Sequence, residues 1–122
     1  MAKTVLVVDD SSSFRTVVSN ALTKAGYQVV EACDGADGLQ KTADQRFAMV
    51  ICDLNMPGVD GFQFARQFKA VPTNRFTPVL MLTTESQEAK KQQGRQAGVN
   101  AWLTKPFQPS RLLMAVQTLC PG

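Results

Sequence analysis

Five short runs rich in apolar and β-branched residues recur along the chain, separated by segments with a different hydrophobic spacing. The runs predict strands of a sheet covered on both faces. They span residues 3–8, 27–31, 47–52, 78–83 and 101–104. The segments between them carry apolar residues three and four positions apart, which is typical of helices that pack on such a sheet.

Capping residues mark where several of the helices begin and end. The serines at 11–13 can cap the first helix, and Gly26 lies where its carboxyl-terminal cap belongs. Asp34 precedes the second helix, and Gly98 ends a polar fourth helix predicted over 85–97. The apolar helix positions are Phe14, Val17, Val18, Ala21, Leu22 and Ala25, then Ala36, Leu39 and Ala43, then Phe62, Phe64, Ala65 and Phe68, and finally Leu112, Leu113, Val116 and Leu119.

Regular alternation of strand and helix predicts one α/β domain over residues 1–122. Right-handed βαβ units would build a doubly wound parallel sheet, and we expect the flavodoxin-like strand order 2-1-3-4-5 with the second strand at an edge. In that order the first and third strands are neighbours. The crevice between their carboxyl ends is where such folds bind ligands.

Acidic residues follow both of these strands. Asp9 and Asp10 end the first, and Asp53 ends the third, just before a Met-Pro-Gly turn. Asp53 alone could simply cap a turn, but three neighbouring carboxylates need a proton or a cation, since each pair repels by about 4 kcal/mol at 4 Å and an effective dielectric of 20. Oxygen ligands favour Mg²⁺. We expect Asp10 and Asp53 as direct ligands, Asp9 through water, and the backbone carbonyl of Asn55 as a further ligand.

A magnesium-bound carboxylate at this place could attack a phosphorus atom. Lys105, which follows the fifth strand, could neutralise the developing charge, and Thr83 at the end of the fourth strand offers a hydroxyl to a phosphoryl oxygen. A lysine before proline is most often a solvated turn residue, and a threonine that ends a strand is most often structural. Their position at the ends of adjacent strands favours the functional interpretation.

Composition excludes several other classes of site. Histidine is absent from the 122 residues, which removes Ser-His and Cys-His nucleophiles and most transition-metal sites. Three cysteines without a C-x-x-C spacing are expected to be small buried or half-buried thiols. A net charge of +3 from scattered basic residues does not indicate nucleic-acid binding. No apolar run suits a membrane span and no signal peptide is visible, so we expect a cytoplasmic protein without membrane insertion.

Four motifs in order, Val-Asp-Asp, Asp-Leu-Asn-Met-Pro-Gly-Val-Asp-Gly, Thr-Thr and Lys-Pro-Phe, resemble the receiver domain of two-component response regulators over essentially the whole chain. The resemblance implies that Asp53 accepts a phosphoryl group from a histidine of a sensor kinase, and that Asp9 and Asp10 form the acidic pair. It makes Thr83 the switch hydroxyl and Lys105 the lysine that pairs with the phosphate. The resemblance also implies that the domain phosphorylates and dephosphorylates itself and is not an enzyme that turns over other substrates.

The resemblance also implies a switch aromatic three residues before the lysine, where this chain has Trp102 instead of the usual Tyr or Phe. The alternative is that Trp102 only packs between a helix and the sheet without moving, and its bulk weighs against full burial when it turns inward. Asn55 and Glu85 would flank the path of the attacking water and set the lifetime of the phosphorylated state. We expect dephosphorylation to be faster than in slow-decaying relatives.

The chain ends just after the last helix, so the domain is expected to signal through its own surface. The segments Thr-Thr-Glu-Ser and Ala-Trp-Leu-Thr-Lys-Pro-Phe are similar to those of chemotaxis regulators of the CheY type, which implies a chemotaxis histidine kinase as donor and the flagellar motor switch as partner. The expected partner surface spans the fourth helix, fifth strand and fifth helix, with aromatic and basic residues typical of interfaces. Its residues are Gln87, Lys91, Arg95, Trp102, Thr104, Phe107, Gln108 and Arg111.

Other functions stay open from the sequence. The chain could be a receiver cut from a larger regulator with a DNA-binding domain, or a stand-alone relay or sink for phosphoryl groups. A flavodoxin-like flavin binder would need a donor-rich phosphate loop after the first strand, where Asp9 and Asp10 would repel the flavin phosphate. A true phosphohydrolase would turn over small phosphate esters many times per second.

Overall fold

The computed structural model describes residues 3–121 and contains five strands and five helices in alternation. The strands are β1 (Thr4–Val8), β2 (Gln28–Ala32), β3 (Met49–Cys52), β4 (Val79–Thr83) and β5 (Ala101–Thr104). The helices are α1 (Ser12–Lys24), α2 (Gly35–Asp44), α3 (Gly61–Ala70), α4 (Glu88–Ala97) and α5 (Pro109–Leu119). A short 3₁₀ turn, Pro72–Asn74, follows α3.

All five strands run parallel in the order β2-β1-β3-β4-β5, which confirms the predicted doubly wound fold and the edge position of β2. In the register of the sheet, Val8 lies opposite Ala32 on one side and Cys52 on the other. The residues that follow Val8 and Cys52 are Asp9 and Asp53. The fold therefore delivers the acidic residues of β1 and β3 to the same edge of the sheet.

Each face of the sheet is covered by its own hydrophobic cluster. Alternate residues of β1 point to opposite faces, so that Val5 and Val7 pack with α1 and α5, while Leu6 and Val8 pack with the helices of the other face. The cluster around Leu6 and Val8 contains the stacked rings of Phe64 and Phe68. This double cover explains why the strands read as apolar runs rather than as alternating patterns. Among residues 3–121, no helix has the length and apolar character needed to cross a membrane.

Helix α4 begins at Glu88, three residues later than the sequence predicts. The reason is local, because Glu85 belongs to a loop in which its side-chain Oε1 accepts a hydrogen bond from the backbone N–H of Gln87 at 3.2 Å. The end of α4 agrees with the prediction, since Gly98 adopts a left-handed conformation with φ of +101°.

Several apolar positions expected to face the core are exposed instead: Val17, Ala25, Ala36 and Ala43. In α2 the predicted Leu39 is half-buried against the core, and the fully buried residues are Gly35 and Gly38, which the apolar pattern did not count. A Cβ atom on Gly38 would lie 3.0 Å from side-chain atoms of Phe64 and Val8, so the helix approaches the sheet through its glycines. The expectation of buried or half-buried thiols is wrong for Cys33, which is exposed, and holds for Cys52 and Cys120.

Candidate functional site

The candidate site lies at the carboxyl ends of β1 and β3. The sheet pairing continues one residue past each strand, because the Asp9 N–H donates to the carbonyl of Ala32 and the Asp53 N–H donates to that of Val8, at 3.1 and 3.0 Å. Carboxylate oxygens of Asp9, Asp10 and Asp53 lie within 4.8 Å of one another. The structure thus brings together the three acidic residues that the sequence singled out.

The three carboxylates differ in burial. Asp9 is only 4% exposed, and its oxygens accept hydrogen bonds from the backbone N–H of Ser11 at 2.9 Å and from the Lys105 ammonium at 3.0 Å. Burial raises the pKa of Asp9 above its ordinary value, although these two donors oppose the rise. Asp10 is exposed, and the Asp53 side chain is 12% exposed at the mouth of the crevice. The site is therefore buried on the side of Asp9 and open to solvent on the side of Asp10.

Lys105 lies between two of the carboxylates. Its Nζ is 3.0 Å from Oδ2 of Asp9 and 3.2 Å from Oδ2 of Asp53, and the side chain is 11% exposed. One ammonium lies against three carboxyl groups, so the acidic groups of the cluster outnumber the basic one and leave a residual negative formal charge. A cluster of hard oxygen donors with this residual charge, open to water at Asp10, fits Mg²⁺, which usually keeps several waters and takes one or two carboxylates. Of the three acidic residues, Asp10 and Asp53 are less buried than Asp9.

Thr83, Glu85 and Trp102 form a connected series beside the crevice. Thr83 is fully buried at the end of β4, and its hydroxyl accepts a hydrogen bond from the Glu85 N–H at 3.4 Å. The carbonyl of Glu85 in turn accepts a hydrogen bond from Nε1 of Trp102 at 2.8 Å. Two hydrogen bonds thus link the end of β4 to the aromatic residue of β5 through a single loop residue.

Trp102 is half-buried and packs on α4, beside the ring of Phe62 at a centroid distance of 6.3 Å. The indole fits because residue 94 of α4 is glycine. A Cβ on Gly94 would lie 2.9 Å from Cζ3 and 3.3 Å from Cε3 of Trp102. The apolar pattern of α4 does not identify Gly94. Its only sequence signal is a glycine inside a helix, where glycine costs about 1 kcal/mol relative to alanine.

Replacing Gly94 with alanine is expected to displace the indole and weaken its hydrogen bond to Glu85. Better helix propensity contributes about 1 kcal/mol, but overpacking typically costs about 1–3 kcal/mol, so we expect a net loss of up to about 2 kcal/mol in the free energy of unfolding. Urea unfolding and the emission maximum of Trp102, the single tryptophan, measure the two effects. Gln93→Ala, at an exposed position of α4, is the matched control. A stabilised Gly94→Ala variant with unchanged emission would contradict the packing argument.

The other predicted residues lie near this crevice or on the adjoining surface. Asn55 is exposed and Glu85 is half-buried. On the expected partner surface, Gln87, Arg95, Gln108 and Arg111 are exposed, whereas Lys91, Trp102, Thr104 and Phe107 are half-buried. The two aromatic rings are therefore less available than the sequence suggested.

Two residues of the site were missed by the sequence analysis. Phe14 was assigned only to the apolar face of α1, yet its ring lies under the Lys105 ammonium, 3.6 Å from Nζ to the ring centroid. Arg15 donates a hydrogen bond to the backbone carbonyl of Asp9 and forms an ion pair with Glu31 at 3.2 Å. The spacing of apolar residues cannot show which loop residue a helix side chain will meet, so no local signal pointed to either contact.

Comparison with known proteins gives concordant results. The family model of the response regulator receiver domain matches residues 5–117. Protein PilG of Pseudomonas aeruginosa is 37% identical over 118 residues, which are 97% of this chain and 87% of PilG. Other relatives are longer transcriptional regulatory proteins. The chain spans about half the length of these relatives, 47% of ResD and 49% of PhoP of Bacillus subtilis.

Solved structures agree with this fold. The chemotaxis response regulator CheY4 of Vibrio cholerae superimposes with a TM-score of 0.94 at 44% identity, covering 98% of this chain and 99% of CheY4. The receiver domain of the sensor histidine kinase PA1611 of Pseudomonas aeruginosa, with a magnesium ion coordinated in its active-site cleft, has a TM-score of 0.91 at 27% identity and full coverage of both chains.

Receiver domains are signalling domains that generally bind Mg²⁺ at an acidic pocket and take a phosphoryl group from histidine kinases. The acidic cluster at the carboxyl ends of β1 and β3 corresponds to such an acidic pocket. With a family match that extends over nearly its whole length, this chain belongs to the response regulator receiver domain family, and its fold is that of the CheY-type chemotaxis regulators.

Proposed function

We propose that Asp53 accepts a phosphoryl group from a phosphohistidine of a separate kinase, and that the modified domain then signals through the surface of α4, β5 and α5. The observation that carries this proposal is the ion pair between Asp53 and Lys105 at the mouth of the crevice. The Asp53 carboxylate is accessible but only 12% exposed, and an ammonium lies 3.2 Å from one of its oxygens. A nucleophile and a cation for the transferred charge are therefore adjacent.

In the proposed reaction, a carboxylate oxygen of Asp53 forms a bond to phosphorus while the phosphorus–nitrogen bond of the donor breaks. The electron pair of that bond returns to the imidazole nitrogen. Lys105 then pairs with a phosphoryl oxygen in place of the carboxylate, and the Thr83 hydroxyl can donate to another. Mg²⁺, held by Asp10 and Asp53 with Asp9 acting through water and the Asn55 carbonyl as a further ligand, would neutralise charge on the phosphoryl oxygens.

The hydrogen-bonded series from Thr83 to Trp102 supports a route for the signal. If the Thr83 hydroxyl turns toward the phosphoryl group, its hydrogen bond from the Glu85 N–H is lost, and the loop that holds Trp102 is released. Trp102, a residue of the expected partner surface, would then change its packing on Gly94. Asn55, exposed beside the acceptor, and Glu85 would tune the rate at which water removes the phosphoryl group.

The similarity to CheY4 supports a chemotaxis role, with a chemotaxis histidine kinase in the cytoplasm as donor and the flagellar motor switch as partner. The match to half of each transcriptional regulator favours a second candidate, in which the chain is the receiver segment of a longer DNA-binding regulator. The length of the native gene separates these two functions.

The proposal is tested by incubating the protein with acetyl phosphate and Mg²⁺ and measuring the intact mass. We expect one phosphoryl group per chain. Hydroxylamine should remove it, because hydroxylamine cleaves acyl phosphates, and borohydride should convert residue 53 to homoserine. EDTA should prevent the modification. Labelling at another residue, or labelling that resists hydroxylamine, would refute the assignment of Asp53, and rapid continuous hydrolysis of acetyl phosphate would favour a phosphohydrolase.

A further inference from the structure

The Lys105 ammonium contacts an aromatic face as well as the two carboxylates. Its Nζ lies 3.6 Å from the centroid of the Phe14 ring, well inside the distance of about 6 Å at which cation–π attraction is significant. Phe14 belongs to the first turn of α1 and is half-buried. The lysine side chain is 11% exposed, so water screens this attraction only weakly.

The Phe14 ring is itself held by a second aromatic ring. Phe107, two residues beyond Lys105, packs edge-on against it with a centroid distance of 5.6 Å and an interplanar angle of 67°. Edge-to-face pairs of this kind are favourable beyond their buried area. The ring of Phe14 is thereby fixed between α1 and the loop that carries the lysine.

We propose that Phe14 is a positioning residue that holds the Lys105 ammonium in the crevice independently of the carboxylates. The inference rests on the proposed function of Asp53, because its purpose is to keep the lysine ready for a phosphoryl oxygen. A divalent cation attracted by Asp9, Asp10 and Asp53 competes with the ammonium for the same oxygens and repels it. The face of the Phe14 ring attracts the ammonium in that situation as well, because its quadrupole does not depend on the carboxylates.

The aromatic contact predicts a specific defect in Phe14→Leu. We expect the rate of labelling by acetyl phosphate at saturating Mg²⁺ to fall by about 2- to 30-fold, the factor that corresponds to the strength of a cation–π contact. Magnesium affinity, followed by Trp102 fluorescence, should not weaken, since a looser lysine competes less for the carboxylates. Phe14→Tyr keeps the ring and should retain the rate. Phe76→Leu, at an 87% exposed phenylalanine, is the matched control.

Two further measurements separate an aromatic contact from a merely structural role. In the metal-free protein, ring currents should shift the NMR resonances of the Lys105 ε-methylene upfield in the wild type and in Phe14→Tyr, and the shift should disappear in Phe14→Leu. Phenylalanine analogues with increasing ring fluorination at position 14 weaken the quadrupole with little change in shape. The labelling rate should therefore decline in step with fluorination.

The outcomes decide between the alternatives. A graded decline with fluorination and rescue by tyrosine would support the positioning role. An unchanged rate and resonance in Phe14→Leu would overturn it, as would weaker magnesium binding that tyrosine does not rescue, since both would show that the ring only supports the loop. If the wild type is not labelled at all, the proposed function fails, whereas the metal-free resonances still establish or refute the contact between Phe14 and Lys105.

Discussion

Asp53→Asn is expected to abolish labelling by acetyl phosphate. An amide has no negative oxygen to attack phosphorus, and loss of a nucleophile typically lowers rates by on the order of 10⁴-fold or more. The fold should survive the change, because Oδ1 of Asp53 accepts a hydrogen bond from the Leu54 N–H at 2.7 Å, and an asparagine oxygen can accept the same bond. Intact-mass measurement in the presence of Mg²⁺ tests the expected loss.

The same variant should be more stable than the wild type when no metal is present. Burial is the main cause of the raised pKa of Asp9, and the neighbouring charge of Asp53 adds a smaller rise, as expected for two carboxylates that repel each other on either side of one lysine. Removing one of them should raise the free energy of unfolding by on the order of 1 kcal/mol. In millimolar Mg²⁺ the advantage should disappear, because the wild type binds the ion more tightly.

Asp44→Asn provides the control for both effects. It makes the same chemical change at an exposed position at the end of α2, and should leave labelling intact and stability within about 0.5 kcal/mol of the wild type. Labelling of Asp53→Asn at the wild-type rate would show that another residue is the acceptor. A metal-free Asp53→Asn protein that is less stable than the wild type would show that the ion pair with Lys105 outweighs the repulsion.

The position of the acidic cluster could be predicted because it depends only on topology. Once strands and helices alternate, the first and third strands must be neighbours in the common strand order, and residues that directly follow them meet at one edge. Asp9 and Asp53 satisfy that condition whatever the details of packing. The same reasoning placed Thr83 and Lys105 at the ends of adjacent strands, and the sheet has that arrangement.

Contacts that depend on the approach of two surfaces could not be predicted. The Phe14 ring meets Lys105 because of the distance and rotation at which α1 packs on the sheet. Trp102 finds room because Gly94 lies directly opposite its ring. Hydrophobic spacing identifies the face of a helix that is buried, but it does not identify the residue that each position meets. Glycine carries no hydrophobic signal, and it was overlooked at Gly38 for the same reason.

Gly61→Ala, at the first residue of α3, is expected to lower the free energy of unfolding more than Gly58→Ala in the preceding loop. A Cβ at position 61 would lie 2.5 Å from the carbonyl oxygen of Asp53 and 2.8 Å from Cα of Leu54. Both are backbone atoms and cannot turn away as a side chain would. The Gly61 N–H also donates to the Leu54 carbonyl at 2.9 Å, which holds the start of α3 against the end of β3.

Relieving this contact requires α3 to move away from the segment that carries Asp53. Overpacking typically costs about 1–3 kcal/mol, against a gain of about 0.4–1 kcal/mol from the less flexible unfolded chain. We expect the free energy of unfolding, measured in urea without metal, to fall by roughly 2 kcal/mol. Magnesium affinity should fall as well, because the backbone of Asp53 must shift relative to Asp9 and Asp10.

Gly58→Ala separates the steric contact from the effect of adding any side chain to this loop. Gly58 has a left-handed backbone with φ of +75°, and a Cβ there would have no heavy atom within 4 Å. It should cost about 1–2 kcal/mol from backbone strain, but should leave magnesium affinity close to that of the wild type. Equal losses of magnesium affinity in the two variants would attribute the effect to the flexibility of the loop. A loss confined to Gly61→Ala would show that the close approach of α3 to Asp53 positions the Asp53 carboxylate.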